Sequence, residues 1–233
     1  MSKTGPSIDG LIAGLPHFAG LPAEAIGEVA GFVRRRRFDA GERALIEGEP
    51  CDGLYFVISG QIRLVRSSAE GREQVFGVLG PGAAFNDIAV FDGGPNPYGA
   101  VAVGATVLGV VPKDRVLGLI DRHPGFARAA LKAVSQRQRQ LATIVEDLAF
   151  RDVTARVAHL LLGCVGEERH MLDRADAACE RITQEDIASM VGSVREVVQR
   201  SLKQLEQDGA ISLERTRIRV HDFDRLKWWA RLS

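Results

Sequence analysis

The chain has 233 residues, enough for two modest domains with cores of their own, and its 45% hydrophobic and 26% charged content argues against wholesale disorder. Thirty Lys and Arg balance thirty Asp and Glu, so no global basic field announces a nucleic-acid partner, and any claim for DNA must rest on local arrangement. Three dispersed cysteines, Cys51, Cys164 and Cys179, form no CxxC pair, which argues against a disulfide scaffold, a zinc ribbon or a Cys-ligated cluster and points to a reduced cytoplasm.

Met1 to Gly10 lacks the basic-then-apolar order of a signal peptide. The longest uncharged apolar stretch, Ala100 to Val111, is too short to span a bilayer and ends at Pro112, so neither secretion nor membrane insertion is expected. Residues 1–33 read as short helices broken by Gly and Pro, the second opening at Leu21-Pro22-Ala23-Glu24. Residues 34–111 read as strands. Leu54 to Ile58 is aromatic and β-branched between Gly53 and Gly60, Gln61 to Arg66 alternates with period two, and Val75 to Leu79 and Val101 to Val111 follow. Recurrent turn glycines between short strands suggest a rolled antiparallel sheet.

Residues 113–149 read as helix. Ala127, Leu131, Val134, Gln138, Leu141, Val145 and Leu148 step by four and three, the spacing of a two-stranded coiled-coil seam with one polar residue to fix register. A helix packed on its own domain needs a similar stripe, but the strict 3.5 period favours dimerisation. Beyond Arg151 come shorter helices and then a hairpin, Ile211 to Leu213 with Ile218 to Val220.

Within that last region Thr183 is placed to cap a helix running from Gln184 to Met190. Val191-Gly192-Ser193 breaks it, and a second helix spans about Val194 to Gln207 with Gly209 just past its end. Helix, short glycine-containing turn, helix is the helix-turn-helix pattern. At 100° per residue Val194, Val198, Leu202 and Leu205 share one face, while Glu196, Gln199, Arg200 and Lys203 lie opposite and Arg195 flanks the start. Arg can bond guanine bidentately and Glu can accept from the cytosine amino group, so these are side chains able to read base edges. Ser193-x-x-Glu196 also fits a capping box, which leaves Glu196 either cap or reader. The hairpin looks like a wing, with Arg215, Arg217 and Arg219 on or near it to touch phosphates and Glu214 diluting the patch.

Three blocks in order resemble the Crp/Fnr superfamily of bacterial transcription regulators over nearly the whole chain. Gly41, Gly48-Glu49, Leu54 to Gly60 and Gly80-Pro81-Gly82 look like the cyclic-nucleotide-type β-roll; Leu148 to Ala158 resembles the hinge and first DNA-domain helix; Ile187 to Glu196 is similar to the helix-turn-helix. The resemblance implies an α+β chain: a β-roll sensor over 1–112, a dimerisation helix and hinge over 113–150, and a winged helix-turn-helix over 151–233. It implies no enzyme activity. It further implies a cytoplasmic homodimer on double-stranded DNA, a small-molecule effector in the roll, and RNA polymerase as a partner. Arg195, Glu196 and Arg200 occupy the family's base-reading positions in the spacing of the cyclic-AMP receptor subgroup, whose half-site resembles TGTGA; Gln199 lies between two of them, and Ser193, Lys203 and Thr183 complete the expected interface.

The sensor departs from that subgroup. Where it has a Gly-Glu-Leu segment and an Arg-Ser pair, this chain has Asn86-Asp87-Ile88 and Pro97-Tyr98, and no arginine lies between Arg72 and Arg115. The positions that contact adenine align with Leu141 and Ala142, both apolar. Cyclic AMP is therefore not the expected effector, and Asn86, Asp87, Asn96 and Tyr98 are the polar groups expected around the pocket, with Asn96 read as a stabiliser of the Asp92 to Pro95 turn and Asp87 open between the two roles. The family's oxygen sensors need N-terminal cysteines, and none precedes Cys51. Haem is the minority alternative, with His17 its one candidate ligand, although a lone His is more often a surface or packing residue. No other cofactor or metal is expected. A cupin-like β-barrel metalloenzyme, the rival from another class, needs histidine ligands inside the roll, and residues 34–111 contain none.

Overall fold

A computed structural model describes residues 7–67, 73–165, 182–214 and 217–230. Cys179 and Arg215, singled out above, lie outside these residues. The chain divides into two compact units, Met1–Leu64 with Leu79–Gln138, and Val65–Val78 with Arg139–Ser233. No described helix is long and apolar enough to cross a membrane.

The first unit opens with α1 (Ile8–Gly14), capped by the Ser7 hydroxyl, which accepts the Gly10 N–H, then a 3-10 turn at Pro16–Phe18 and α2 (Ala23–Phe32). Strands follow: β1 (Arg34–Phe38), β2 (Arg43–Leu45), β3 (Gly53–Ser59), β4 (Ile62–Ser67), β5 (Glu73–Leu79) and β6 (Ala84–Phe85), with the stretch Val65–Val78 of β4 and β5 assigned to the second unit. A short helix, α3 (Asp87–Asp92), precedes β7 (Gly99–Ala102) and β8 (Thr106–Pro112). They form two four-stranded sheets in the orders β1-β8-β3-β6 and β2-β7-β4-β5, and every pairing read residue by residue is antiparallel. The expected continuous strand from Val101 to Val111 is two strands, because Val103 to Ala105 turns the chain from one sheet to the other. α3 also interrupts what reads as an all-strand region.

Composition explains the roll. β3 is buried along Gly53 to Val57, so both of its faces are apolar rather than alternating. β1 is an edge strand carrying four consecutive arginines, all exposed, and charge on an edge discourages pairing with another chain. Gly60, at φ 81°, turns β3 into β4, and a Cβ there would strike the Ala105 carbonyl. The core gathers Ile12, Phe18, Leu54, Phe56, Val111, Leu119 and Phe126, and fully burying one such side chain is worth about 1.5 to 3 kcal/mol.

The expected helix over 113–149 is two helices, α4 (Lys113–Arg122) and α5 (Pro124–Phe150). Proline is tolerated in a first helical turn but disfavours helix at the residue before it, so the chain breaks at His123. On α5 the seam residues Leu131 and Val145 are 68% and 65% exposed in the single chain, an apolar stripe facing solvent.

The second unit contains α6 (Val153–Val165), α7 (Gln184–Val191), α8 (Arg195–Gln207), β9 (Ile211–Leu213) paired antiparallel with β10 (Ile218–Val220), and α9 (Phe223–Trp229). Val157, Leu161, Ile187, Val198, Leu202, Leu205 and Leu226 make its core. The terminal helix α9 is an addition to the expected arrangement, which ended at the hairpin.

Candidate nucleic-acid interface and sensor network

Thr183 caps α7: its hydroxyl accepts the Asp186 N–H at 3.1 Å, while the Asp186 carboxylate accepts the Thr183 N–H at 3.1 Å. Gly192, at φ 63°, closes α7 in the left-handed conformation. The chain then needs an extended residue to enter the next helix, and Val194 supplies it as N-cap with no side-chain cap bond. Ser193 therefore stands one residue too early to cap, the expected Ser193/Glu196 box does not form, and Val194 is 49% exposed rather than part of the buried face. Ser201, a polar residue, is buried on that face instead and receives a hydrogen bond from the Thr154 hydroxyl of α6 at 3.0 Å.

The opposite face of α8 is open. Arg195, Glu196, Gln199, Arg200 and Lys203 are all exposed, and Ser193 is half-buried at the turn. The first two turns of α8 thus present two cations, an anion and an amide, with none of them used in capping. On the hairpin Arg217 and Arg219 are exposed, and Arg219 pairs with Glu214 at 2.7 Å.

In the first unit polar groups meet in the interior. Asn86, with φ 69°, stands just before α3 and is wholly buried. Its N–H donates to the Tyr98 hydroxyl at 2.8 Å, and its side-chain amide donates to Asn96 Oδ1 at 3.0 Å and Gly53 O at 3.3 Å. Asp87, 1% exposed, accepts His17 Nε2 at 3.2 Å on one oxygen and Arg137 Nη1 at 2.6 Å on the other. Arg137 also donates to the Ala84 carbonyl at 3.2 Å. Burial alone would raise the Asp87 carboxyl, but the His17 hydrogen bond and the Arg137 charge outweigh it and hold it below the ordinary carboxylate range. Burial, with Asp87 nearby, pushes the Tyr98 phenol up to about 12.

The family model for the cyclic nucleotide-binding domain matches residues 35–123, and that for the Crp-like helix-turn-helix domain matches residues 155–228. The CRP-like cAMP-activated global transcriptional regulator of Mycobacterium tuberculosis is 30% identical over 224 residues, 96% of this chain and all of that one. The chain belongs to the Crp/Fnr family of DNA-binding transcription regulators. The catabolite activator protein of Thermus thermophilus is similar in structure, with a TM-score of 0.53, 28% identity, and 92% of this chain and 98% of that chain covered. The c-di-GMP-responsive global regulator of Xanthomonas campestris shares the fold, with a TM-score of 0.72 at 24% identity over 86% of this chain and all of that one.

Within this Crp/Fnr chain several expected site residues stand differently from their sequence reading. His17, expected at a surface or in plain packing, is 4% exposed and bonded to Asp87. Asn96 does not hold the Asp92 to Pro95 turn; Asp92 does that by accepting the Gly94 N–H at 2.7 Å, while Asn96 donates to the Ile46 carbonyl at 3.1 Å. Leu141 and Ala142 are exposed in the single chain. The absence of an arginine between Arg72 and Arg115 does not leave Asp87 without a cation, because Arg137 arrives from α5, fifty residues away. Nothing local singles it out, since Arg137 and Arg139 flank the polar seam position Gln138 alike.

Proposed function

We propose that this Crp/Fnr regulator acts in the cytoplasm as a homodimer joined along α5, reading a palindromic operator with TGTGA-like half-sites through Arg195, Glu196 and Arg200, with Gln199 altering one base preference. The observation that carries this reading is the first turn of α8, where no side chain caps the helix and the readers stay open to solvent. N-terminal residues of a recognition helix are those that reach base edges in the major groove. Ser193, Thr183 and Lys203 serve the phosphate backbone beside them, and phosphate contacts position rather than specify. The exposed Leu131 and Val145 support the dimer, and two-fold protein symmetry calls for operator palindromy.

The effector of this reading is a small molecule other than cyclic AMP. Support comes from Pro97 and Tyr98 standing where the cyclic-AMP subgroup has its Arg-Ser pair, and from Tyr98 being buried with its hydroxyl committed to the Asn86 N–H. Among relatives of this fold, the names of two refer to different cyclic nucleotides, so the shared roll does not itself select one. Effector binding shifts a two-state equilibrium of the dimer, and RNA polymerase is the partner on the promoter.

Selection of duplexes from a randomised pool by the purified protein tests the operator. The expected product is a palindrome with TGTGA-related half-sites; recovery of unrelated or unselected sequence would refute the assignment of the readers. Titration calorimetry with cyclic AMP tests the sensor, and saturable one-to-one binding per protomer would refute the exclusion.

A further inference from the structure

We infer that Asp208, held by Arg225 and Trp229 of α9, is a positioning residue that sets the pitch of the recognition helix and thereby contributes to operator discrimination. The inference rests on the proposal that α8 reads the operator.

Acidic side chains are unfavourable at a helix C-terminus, where the macrodipole is already negative. α8 nevertheless ends on Glu206 and the C-cap Asp208, with no basic residue in its last turn. Both acids are used as acceptors. Glu206 Oε1 accepts the Leu213 N–H of β9 at 2.9 Å, tying the helix to the wing. Asp208 Oδ2 accepts the indole N–H of Trp229 at 2.9 Å, and its backbone carbonyl accepts Arg225 Nη1. Arg225 is itself fixed, because its Nε meets Asp222 Oδ2 at 3.2 Å and its N–H donates to Asp222 Oδ1 at 3.0 Å in the N-terminal cap of α9. Trp229 is half-buried and packs against the core of the unit, so its N–H is a fixed point.

The reading side chains are at the far end of the same rod. Thirteen helical residues span about 20 Å, so a tilt allowed at Asp208 moves Arg195 and Glu196 against the bases. Base-edge hydrogen bonds are sensitive to such shifts, whereas phosphate contacts through long Arg and Lys side chains adapt to them. Loosening Asp208 is therefore expected to cost sequence discrimination rather than general DNA affinity.

The full-length protein carrying Trp229→Phe, Asp208→Ala or Asp208→Asn is measured against three duplexes of equal length: the selected operator, the operator with one changed base pair in a half-site, and an unrelated sequence. Trp229→Phe keeps an aromatic ring but loses the donor with part of the packed volume, and Asp208→Asn keeps an acceptor for the indole N–H. Trp229→Phe and Asp208→Ala are expected to weaken operator binding about tenfold. The same two variants leave the unrelated duplex within about twofold and the salt slope unchanged, and Asp208→Asn retains most of the discrimination. Equal loss on all three duplexes, or no loss on the operator in either variant, would overturn the inference; should Asp208→Ala fail to unfold cooperatively, Trp229→Phe decides alone. If the wild-type protein itself fails to separate operator from unrelated DNA, the reading of α8 fails first, and that result is distinguishable from a fault in Asp208.

Discussion

Around Asp87 in the first unit the polar side chains face one another, and on the open face of α8 in the second they face water. Asp87, Asn86 and Asn96 are each at most 3% exposed and hydrogen-bonded inside the protein, with Arg137 reaching in from α5 to complete the set. Arg195, Glu196, Gln199 and Arg200 are all exposed, and the helix start they surround carries no side-chain cap. Polar groups that are internally satisfied contribute to stability and closure. Polar groups left open are free for a partner, so the same residue types do opposite work in the two units.

Breaking the buried set is the largest expected effect. Asp87→Ala removes the carboxylate that Arg137 and His17 share and leaves Arg137 only the Ala84 carbonyl; breaking a buried pair costs up to about 3 to 5 kcal/mol, read as a lowered urea midpoint. The same carboxylate makes stability depend on acid. Its folded-state pKa is lowered, so its contribution is complete above the ordinary carboxylate range and is lost as pH falls below about 4 toward the folded value. Urea midpoints measured between about pH 6 and 3 should fall more steeply for the wild type than for Asp87→Asn.

The cap on α7 is an intermediate case, since Thr183 is exposed yet committed to Asp186. Thr183→Ala should cost about 1 kcal/mol of stability in a melting or denaturant experiment. At the open end of the comparison, Glu196→Ala and Arg200→Ala should leave stability within about 0.5 kcal/mol of wild type, because neither side chain is spent within the fold. A stability loss of the size seen for Asp87 at either position would erase the contrast between the two units.

How much of this could be read along the chain follows from how local each feature is. The helix-turn-helix was legible because Thr183, Gly192 and Gly209 punctuate it within one stretch, and the wing because Ile211 to Leu213 and Ile218 to Val220 alternate around a short turn. Of the two readings open for Glu196, the Ser193 capping box fails by one residue, since a left-handed Gly192 uses up a position before the helix can begin. The buried network around Asp87 is partly legible: Asn86, Asp87, Asn96 and Tyr98 stand out as polar groups, whereas nothing local joins His17 and Arg137 to them. Those two meet Asp87 across 70 and 50 residues, and a contact of that separation leaves no periodicity in the sequence. α3 and α9 are each at most seven residues, too short to display a helical repeat, and tertiary packing rather than pattern makes them.

Zero net charge can be placed in the same terms. From Glu180 to Ser233 ten Lys and Arg meet nine Asp and Glu, so the reading unit offers little bulk attraction to DNA, and its affinity has to lean on particular contacts. The most direct measurement is the binding of Arg200→Ala to a series of operators with single base-pair changes, at fixed salt. The account predicts that the variant loses about 1 to 3 kcal/mol on the selected operator and becomes indifferent at one base position while keeping its preference at the others. A uniform loss across the whole series would make Arg200 a phosphate contact and contradict base reading by the open face of α8.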